Sequence, residues 1–271
     1  MTLSATPPGL DAGRLVRSAG QRLALARVAV FVLAGLVLLS LFVPQLLGKD
    51  RMGDVVGFAG LAAAAVWVLL GFNAARQGRR VREAAALATL GRSDLAEQRA
   101  LATLEGFCLL RPVTLGAAVV LARVRQTQGR HAEAARLAAF VLSRRERTLT
   151  GGKRTIRLLL GESLLAAGDP AGASTAIRPL YSPSGDKDQQ LDLDEALRLL
   201  SLQIRLDAAA GQWQSLYSAL PTSMPMVELL PSGVQADLLR ELARASQACG
   251  DEAWATYLER RASLLTTKES T

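Results

Sequence analysis

A lysine behind two glycines, Gly151-Gly152-Lys153, is the first place where this chain could cradle a phosphate. A phosphate loop also needs a glycine at 147 and a Ser or Thr at 154, so that backbone N–H groups and a hydroxyl converge on phosphate and metal. Arg147 and Arg154 stand there instead, and no strand signal precedes the segment. Ser184 and Lys187 have the SxxK spacing in which a lysine could activate a serine, but no SDN or KTG partner follows. Gly161-Glu162-Ser163 begins a nucleophile elbow, and Leu165 occupies the place of its second glycine. His131 is the sole histidine, and Cys108 and Cys249 are the sole cysteines. A structural zinc site takes four ligands, so these cannot build one. The acidic pairs Asp192/Asp194 and Asp251/Glu252 stand near expected helix starts, where acids offset the helix dipole. No catalytic residue, cofactor or metal ligand is expected, and the chain reads as a non-enzyme.

The elements that carry these residues are helical. Half of the 271 residues are hydrophobic, aromatics are only 4%, and Ala and Leu dominate, which favours helix over strand. The net charge of +8 is placed unevenly. Residues 1–82 hold ten Lys/Arg against three Asp/Glu, whereas residues 83–271 hold 22 against 21. A nucleic-acid reader would carry the excess on its folded domain. Here it flanks apolar runs, so no nucleic-acid partner is expected and the charge reads as a membrane-topology signal.

Val28 to Gly48 is an uncharged run in which fourteen residues are Leu, Val or Phe. As a helix it spans roughly 30 Å, the thickness of a bilayer's hydrocarbon core, and those side chains favour insertion by about 4–8 kcal/mol. It is longer than a signal-peptide core, and no small-x-small cleavage site follows it. A second uncharged run, Val55 to Ala75, is richer in Ala and Gly and ends at an arginine cluster. It reads as a second span because the connection Lys49-Asp50-Arg51-Met52-Gly53-Asp54 allows only a tight hairpin. Arg14, Arg17, Arg22 and Arg27 precede the first run, and Arg76, Arg79, Arg80 and Arg82 follow the second. Positive flanks stay cytoplasmic, so both termini are expected there, in keeping with two reduced thiols rather than one disulfide. Gly53, Gly57, Gly60, Ala64 and Gly71 form a small-residue stripe along the second run. Such a stripe seats the second helix against the first, or meets another copy or a membrane partner. Residues 1–26 read as a short basic helix on anionic headgroups, using Leu10, Leu15, Val16 and Leu23, or as a disordered tail.

Beyond the runs, five glycines each separate two apolar stretches: Gly91, Gly129, Gly168, Gly211 and Gly250, spaced by 38, 39, 43 and 39 residues. Five residues after them stand Ala96, Ala134, Ala173, Leu216 and Ala255. A glycine supplies the positive φ that ends one helix, and a small residue lets the next cross closely. Helix pairs that half-bury their apolar faces must then stack and share a core. Pro112, Pro179, Pro221 and Pro231 are expected at or near helix ends. Leu160-Gly161 with Leu164, Gly168 and Ala173 resembles the tetratricopeptide repeat family, as do Leu121-Ala122 with Gly129 and Ala134, and Leu242-Ala243 with Gly250 and Ala255. The family's period is about 34 residues, so the longer spacing here implies longer or irregular helices.

The expected architecture is therefore all-α. It comprises an N-terminal segment 1–26, a transmembrane hairpin 27–76 with helices near 28–48 and 55–75, a solenoid of about five tetratricopeptide-like hairpins over 77–266, and a tail 267–271. The resemblance implies a partner-peptide groove on the first helix of each hairpin, with Arg123, Gln126, Thr127 and Glu162 as its candidates. Residues 111–157 carry eleven Lys/Arg against two Glu, so Arg144, Arg145, Arg147, Lys153 and Arg154 are candidates for contact with an anionic surface, lipid or acidic protein. The expected function is a membrane-anchored scaffold for protein partners, or an accessory subunit of a larger membrane complex. With 28 Arg against four Lys, the coding sequence reads as GC-rich and the membrane as a bacterial inner one.

Overall fold

The computed structural model describes residues 12–47, 52–108, 110–144, 152–181 and 191–267, and among them every regular element is helical. The chain divides into two compact units, residues 1–144 and 145–271.

The first unit holds α1 (Ala12–Leu47), α2 (Met52–Thr89), α3 (Ser93–Glu105), α4 (Arg111–Thr127) and α5 (His131–Ser143). At 36 and 38 residues, α1 and α2 are each about 55 Å long, nearly twice a bilayer's hydrocarbon core. Each therefore has two halves with different surroundings. In the first half of α1, Ala12, Leu15, Ala19, Leu23 and Ala26 are buried, at the three- and four-residue spacing of one helix face. That face packs on α2, α3 and α5. Residues 12–26, expected on headgroups or as a tail, are thus the base of α1. Leu15 and Leu23 point into the bundle, with Arg14 and Arg17 exposed on the other side and Arg22 at the edge of the buried face. Leu10 lies outside the described residues. Likewise α2 continues through Arg76, with Ala74, Gln77 and Ala84 buried. The division between units accordingly falls after Arg144 and not near residue 77.

The second unit holds α6 (Gly152–Ala166), α7 (Pro170–Ile177) running into a short 3-10 turn, α8 (Leu193–Ala209), α9 (Trp213–Val227), α10 (Ser232–Ala248) and α11 (Glu252–Thr267). Its core is aliphatic, with Leu158, Ile177 and Leu202 near one end and Leu238, Leu239, Leu242 and Leu258 near the other.

One turn is repeated five times. Gly91, Gly129, Gly168, Gly211 and Gly250 have φ of 74°, 74°, 84°, 66° and 83°, and each joins two helices that pack on one another. In every case the glycine N–H donates to the carbonyl three residues back, and the next N–H to the carbonyl five back. Gly168 to Leu165 at 3.0 Å and Asp169 to Leu164 at 2.9 Å is one instance. This double bond satisfies carbonyls that the helix end would otherwise strand. Ala96, Ala134, Ala173 and Leu216 are buried at the following crossing, while Ala255 is half-buried. Within each unit the first helices of successive hairpins touch: α2 with α4, α6 with α8, and α8 with α10.

One proline position differs from expectation. Pro112 opens α4, Pro231 caps α10 and Pro179 sits in the 3-10 turn, but Pro221 lies inside α9, as does Pro225. Both face solvent, where water can take the carbonyls that lose their helical N–H donors.

Candidate functional site

The upper halves of α1 and α2 expose apolar side chains where the lower halves bury them. Phe31 is 76% exposed, Phe72 79% and Leu69 69%, and Val28, Val32, Leu36, Leu38, Leu61, Trp67 and Val68 are also exposed. So large a continuous apolar surface marks contact with a membrane or another protein. Among the described residues one stretch, Ala12–Leu36, is long and apolar enough to cross a membrane by length and composition.

Where the exposed apolar band ends, the bundle is fastened to α1 and α2 by polar side chains. Arg22 Nη1 donates to the Leu104 carbonyl at 2.9 Å, and Asn73 Nδ2 donates to the Phe107 carbonyl at 3.0 Å. Gly106 lies against Gln77, close enough that an added Cβ would come 2.5 Å from Nε2. Arg111 donates to the Arg144 carbonyl, and the Arg144 guanidinium lies 5.3 Å from the centre of the Phe140 ring and against Gly20. Cys108 is buried in the same loop, and that burial pushes its thiol above the usual range despite a bond to the Leu110 carbonyl.

Two members of the small-residue stripe stand off the buried face of α2. Ala63, Ala74, Gln77 and Ala84 are buried on α2, whereas Ala64 and Gly71 are exposed and nothing lies within 4 Å of a Cβ added at Gly71. One residue along a helix is about 100° around it, so the stripe opens sideways. Gly60 is half-buried, and the surroundings of Gly53 and Gly57 lie outside the described side chains.

The groove residues are placed on different units. Arg123 and Thr127 are exposed on α4 with Gln126 half-buried beside them. Glu162 belongs to the second unit, where it takes a two-pronged bond from Arg198 at 2.9 and 2.8 Å, tying α6 to α8. The basic segment 111–157 is not one solvated face. Arg125 is 2% exposed and paired with Glu97 at 2.6 Å and Glu133 at 3.7 Å. Arg154 lies 3.9 Å from Glu195, Lys153 is exposed, and Arg145 and Arg147 lie outside the described residues.

The described residues of the three motif-like segments and the lone histidine lie on helices. Gly152 and Lys153 open α6 and Ser163 is buried within it, while His131 begins α5; Gly151 and Ser184–Lys187 are outside the described residues. Asp192 and Asp251 accept the N–H of Glu195 at 2.7 Å and of Trp254 at 3.1 Å, capping α8 and opening α11. No group of three His, Cys, Asp or Glu among the described residues could hold a metal ion.

The second unit adds a feature not anticipated from sequence. Tyr217, Pro221, Met224 and Pro225 of α9 and Trp254 and Tyr257 of α11 line an open groove of about 510 Å³. Tyr217 Oη donates to Asp251 Oδ2 at 2.8 Å at one end, and Arg261 pairs with Glu228 at 2.7 Å at the other. The bond to Asp251 raises the Tyr217 pKa. Trp254 and Tyr257 stack edge-to-face at 5.3 Å. Trp213, Tyr217, Trp254 and Tyr257 are the four aromatics beyond Tyr181, all just after Gly211 or Gly250, and that placement is the signal that could have found it.

No protein-family model, curated protein or solved structure matches the chain.

Proposed function

We propose that this chain is a membrane-anchored adaptor: α1 and α2 cross a bacterial inner membrane as a hairpin, both termini stay cytoplasmic, and the tetratricopeptide-like hairpins hold protein partners there. One observation carries the reading. Along both helices the surroundings change together, from a buried apolar face below Ala26 and Asn73 to exposed Phe31, Val32, Leu69 and Phe72 above. Water would penalise that band by about 25 cal/mol for each Å² of apolar surface, whereas lipid accepts it. Arginines on both sides of the band fit the rule that positive flanks remain cytoplasmic. The adaptor half rests on the hairpin construction and on the exposed aromatic groove of α9 and α11, apolar area of the kind that marks interaction surfaces. The test is extraction of membranes from cells making the full chain. Retention after an alkaline wash and release by detergent are expected; release by the wash alone overturns the anchor.

A second reading, an accessory subunit of a larger membrane complex, is favoured by the sideways-facing Ala64 and Gly71. Small residues at such a position let another helix approach closely in lipid. Purification in mild detergent with mass spectrometry separates the two. One recurrent membrane protein supports the subunit, and varied soluble partners support the adaptor.

A further inference from the structure

We propose that the loop joining α3 to α4 is a second membrane contact, with Phe107 and Leu110 seated at the headgroup–acyl boundary of an anionic bilayer and Arg111 and Arg144 beneath its phosphates. The proposal rests on the membrane-spanning reading of α1 and α2.

The level of the loop comes first. Asn73 holds the Phe107 carbonyl from a position next to the exposed Phe72 and one turn above Arg76. On the other helix Arg22 holds Leu104, five residues below Arg27 and the start of the uncharged run. The loop therefore stands where charge stops and apolar exposure begins on both helices. Its sequence, Gly106 to Leu110, carries no charge, and Leu110 is 50% exposed.

Part of the backbone at the loop has the second property a lipid contact needs. Beside hydrocarbon, polar backbone groups must find partners inside the protein. The Leu104 carbonyl takes Arg22, the Phe107 carbonyl takes Asn73, and the Leu110 carbonyl takes the Val113 N–H at 3.1 Å and the Cys108 thiol at 3.6 Å. Loops facing water leave such groups to solvent. Here side chains from α1 and α2 reach across to take the Leu104 and Phe107 carbonyls.

The third property is charge. Arg111 follows the loop directly, and Arg144 is held beside it through its own carbonyl and against Gly20, two residues from Arg22. Arginine near an anionic leaflet is attracted only at close range, within the roughly 8 Å Debye length of physiological salt. A loop that touches the leaflet puts them inside that range.

The test uses the full chain with Cys249→Ser, reconstituted in vesicles of neutral or anionic phospholipid carrying shallow or deep nitroxide quenchers. A thiol-reactive fluorophore is placed by Leu110→Cys, by Phe107→Cys as a second loop position, by Leu69→Cys in the stem, and by Leu90→Cys beside the distant Gly91 turn. The parent chain with only the buried Cys108 measures background. Expected are strong deep quenching at 69, quenching at 107 and 110 several times that at 90 and strongest with the shallow probe, and weaker loop quenching in neutral vesicles. Quenching at 69 with the loop positions no different from 90 overturns this proposal alone. Absence of quenching at 69 overturns the membrane-spanning reading and this proposal with it. Equal loop quenching in neutral and anionic vesicles overturns the role of the arginines.

Discussion

Replacing Gly168 by Ala isolates the cost of the repeated turn from everything else. At φ +84° an L side chain is strained, yet nothing lies within 4 Å of an added Cβ, so no clash accompanies the strain. The left-handed conformation costs an Ala about 1–2 kcal/mol. For a chain of this size that corresponds to a melting temperature lower by about 2–8 °C. Asn tolerates this conformation better, so Gly168→Asn should lose less than half as much. Gly161 gives the opposite case. It lies within α6, where Ala is intrinsically favoured by about 1 kcal/mol, but an added Cβ would stand 2.7 Å from Ile177 Cγ2 and 2.8 Å from Leu202 Cδ2. Overpacking of that kind costs about 1–3 kcal/mol, so Gly161→Ala should destabilise. The assay is thermal unfolding of the full chain in mild detergent, followed by circular dichroism at 222 nm. Asn as damaging as Ala at 168 would refute the left-handed account of the turn. A stabilising Ala at 161 would refute the close crossing of α6 by α7 and α8.

Arg125→Ala empties a buried site and leaves Glu97 with Gln128 and Glu133 with Arg130 as their remaining partners, at a cost of at most about 3–5 kcal/mol, whereas Arg125→Met should recover only the packing part of that loss, because the carboxylates still lack their guanidinium. Equal losses in a thermal melt would contradict the assignment. Tyr181 is half exposed, and partial burial and Asp207 push its pKa up to about 12. The folded state thus holds its proton more tightly, a stabilisation complete below the unfolded value of about 10 and lost as pH rises from there towards 12. Ultraviolet titration of the wild type and of Tyr181→Phe should differ by one phenol ionising near pH 12, and a difference near pH 10 would be the failure. A thiol reagent at neutral pH should label half-buried Cys249 in the native chain and Cys108 only after denaturation, since Cys108 is buried with a raised thiol pKa. Equal rates in the native protein would contradict its burial.

The turns were legible in the sequence because only glycine fits their backbone cheaply, and each lies between two apolar stretches. Asp192 and Asp251 were legible for a similar reason, since short acids serve helix starts. The base of α1 was not. Arg14, Arg17 and Arg22 make the segment look like a surface helix, and its buried face uses Ala12, Ala19 and Ala26, whose small side chains give little apolar signal. Arg125 was read as part of a basic face because counting charges along the chain cannot see Glu97, 28 residues earlier, folding back onto it. The α9–α11 groove escaped for the same cause: Tyr217 and Trp254 come from different hairpins and meet only when those pack. Pro221 was misplaced because proline ends helices in isolation, while an exposed helix face can carry one.

The central claim is that α1 and α2 cross a membrane and return. Reporter fusions at residue 50, between the two helices, and at residue 271 measure this directly, using one reporter active only in the cytoplasm and another active only outside it. The expected result is that the two positions lie on opposite sides, with residue 271 cytoplasmic. Both positions reporting the same side would contradict the hairpin, and with it the cytoplasmic placement of the helical hairpins that follow.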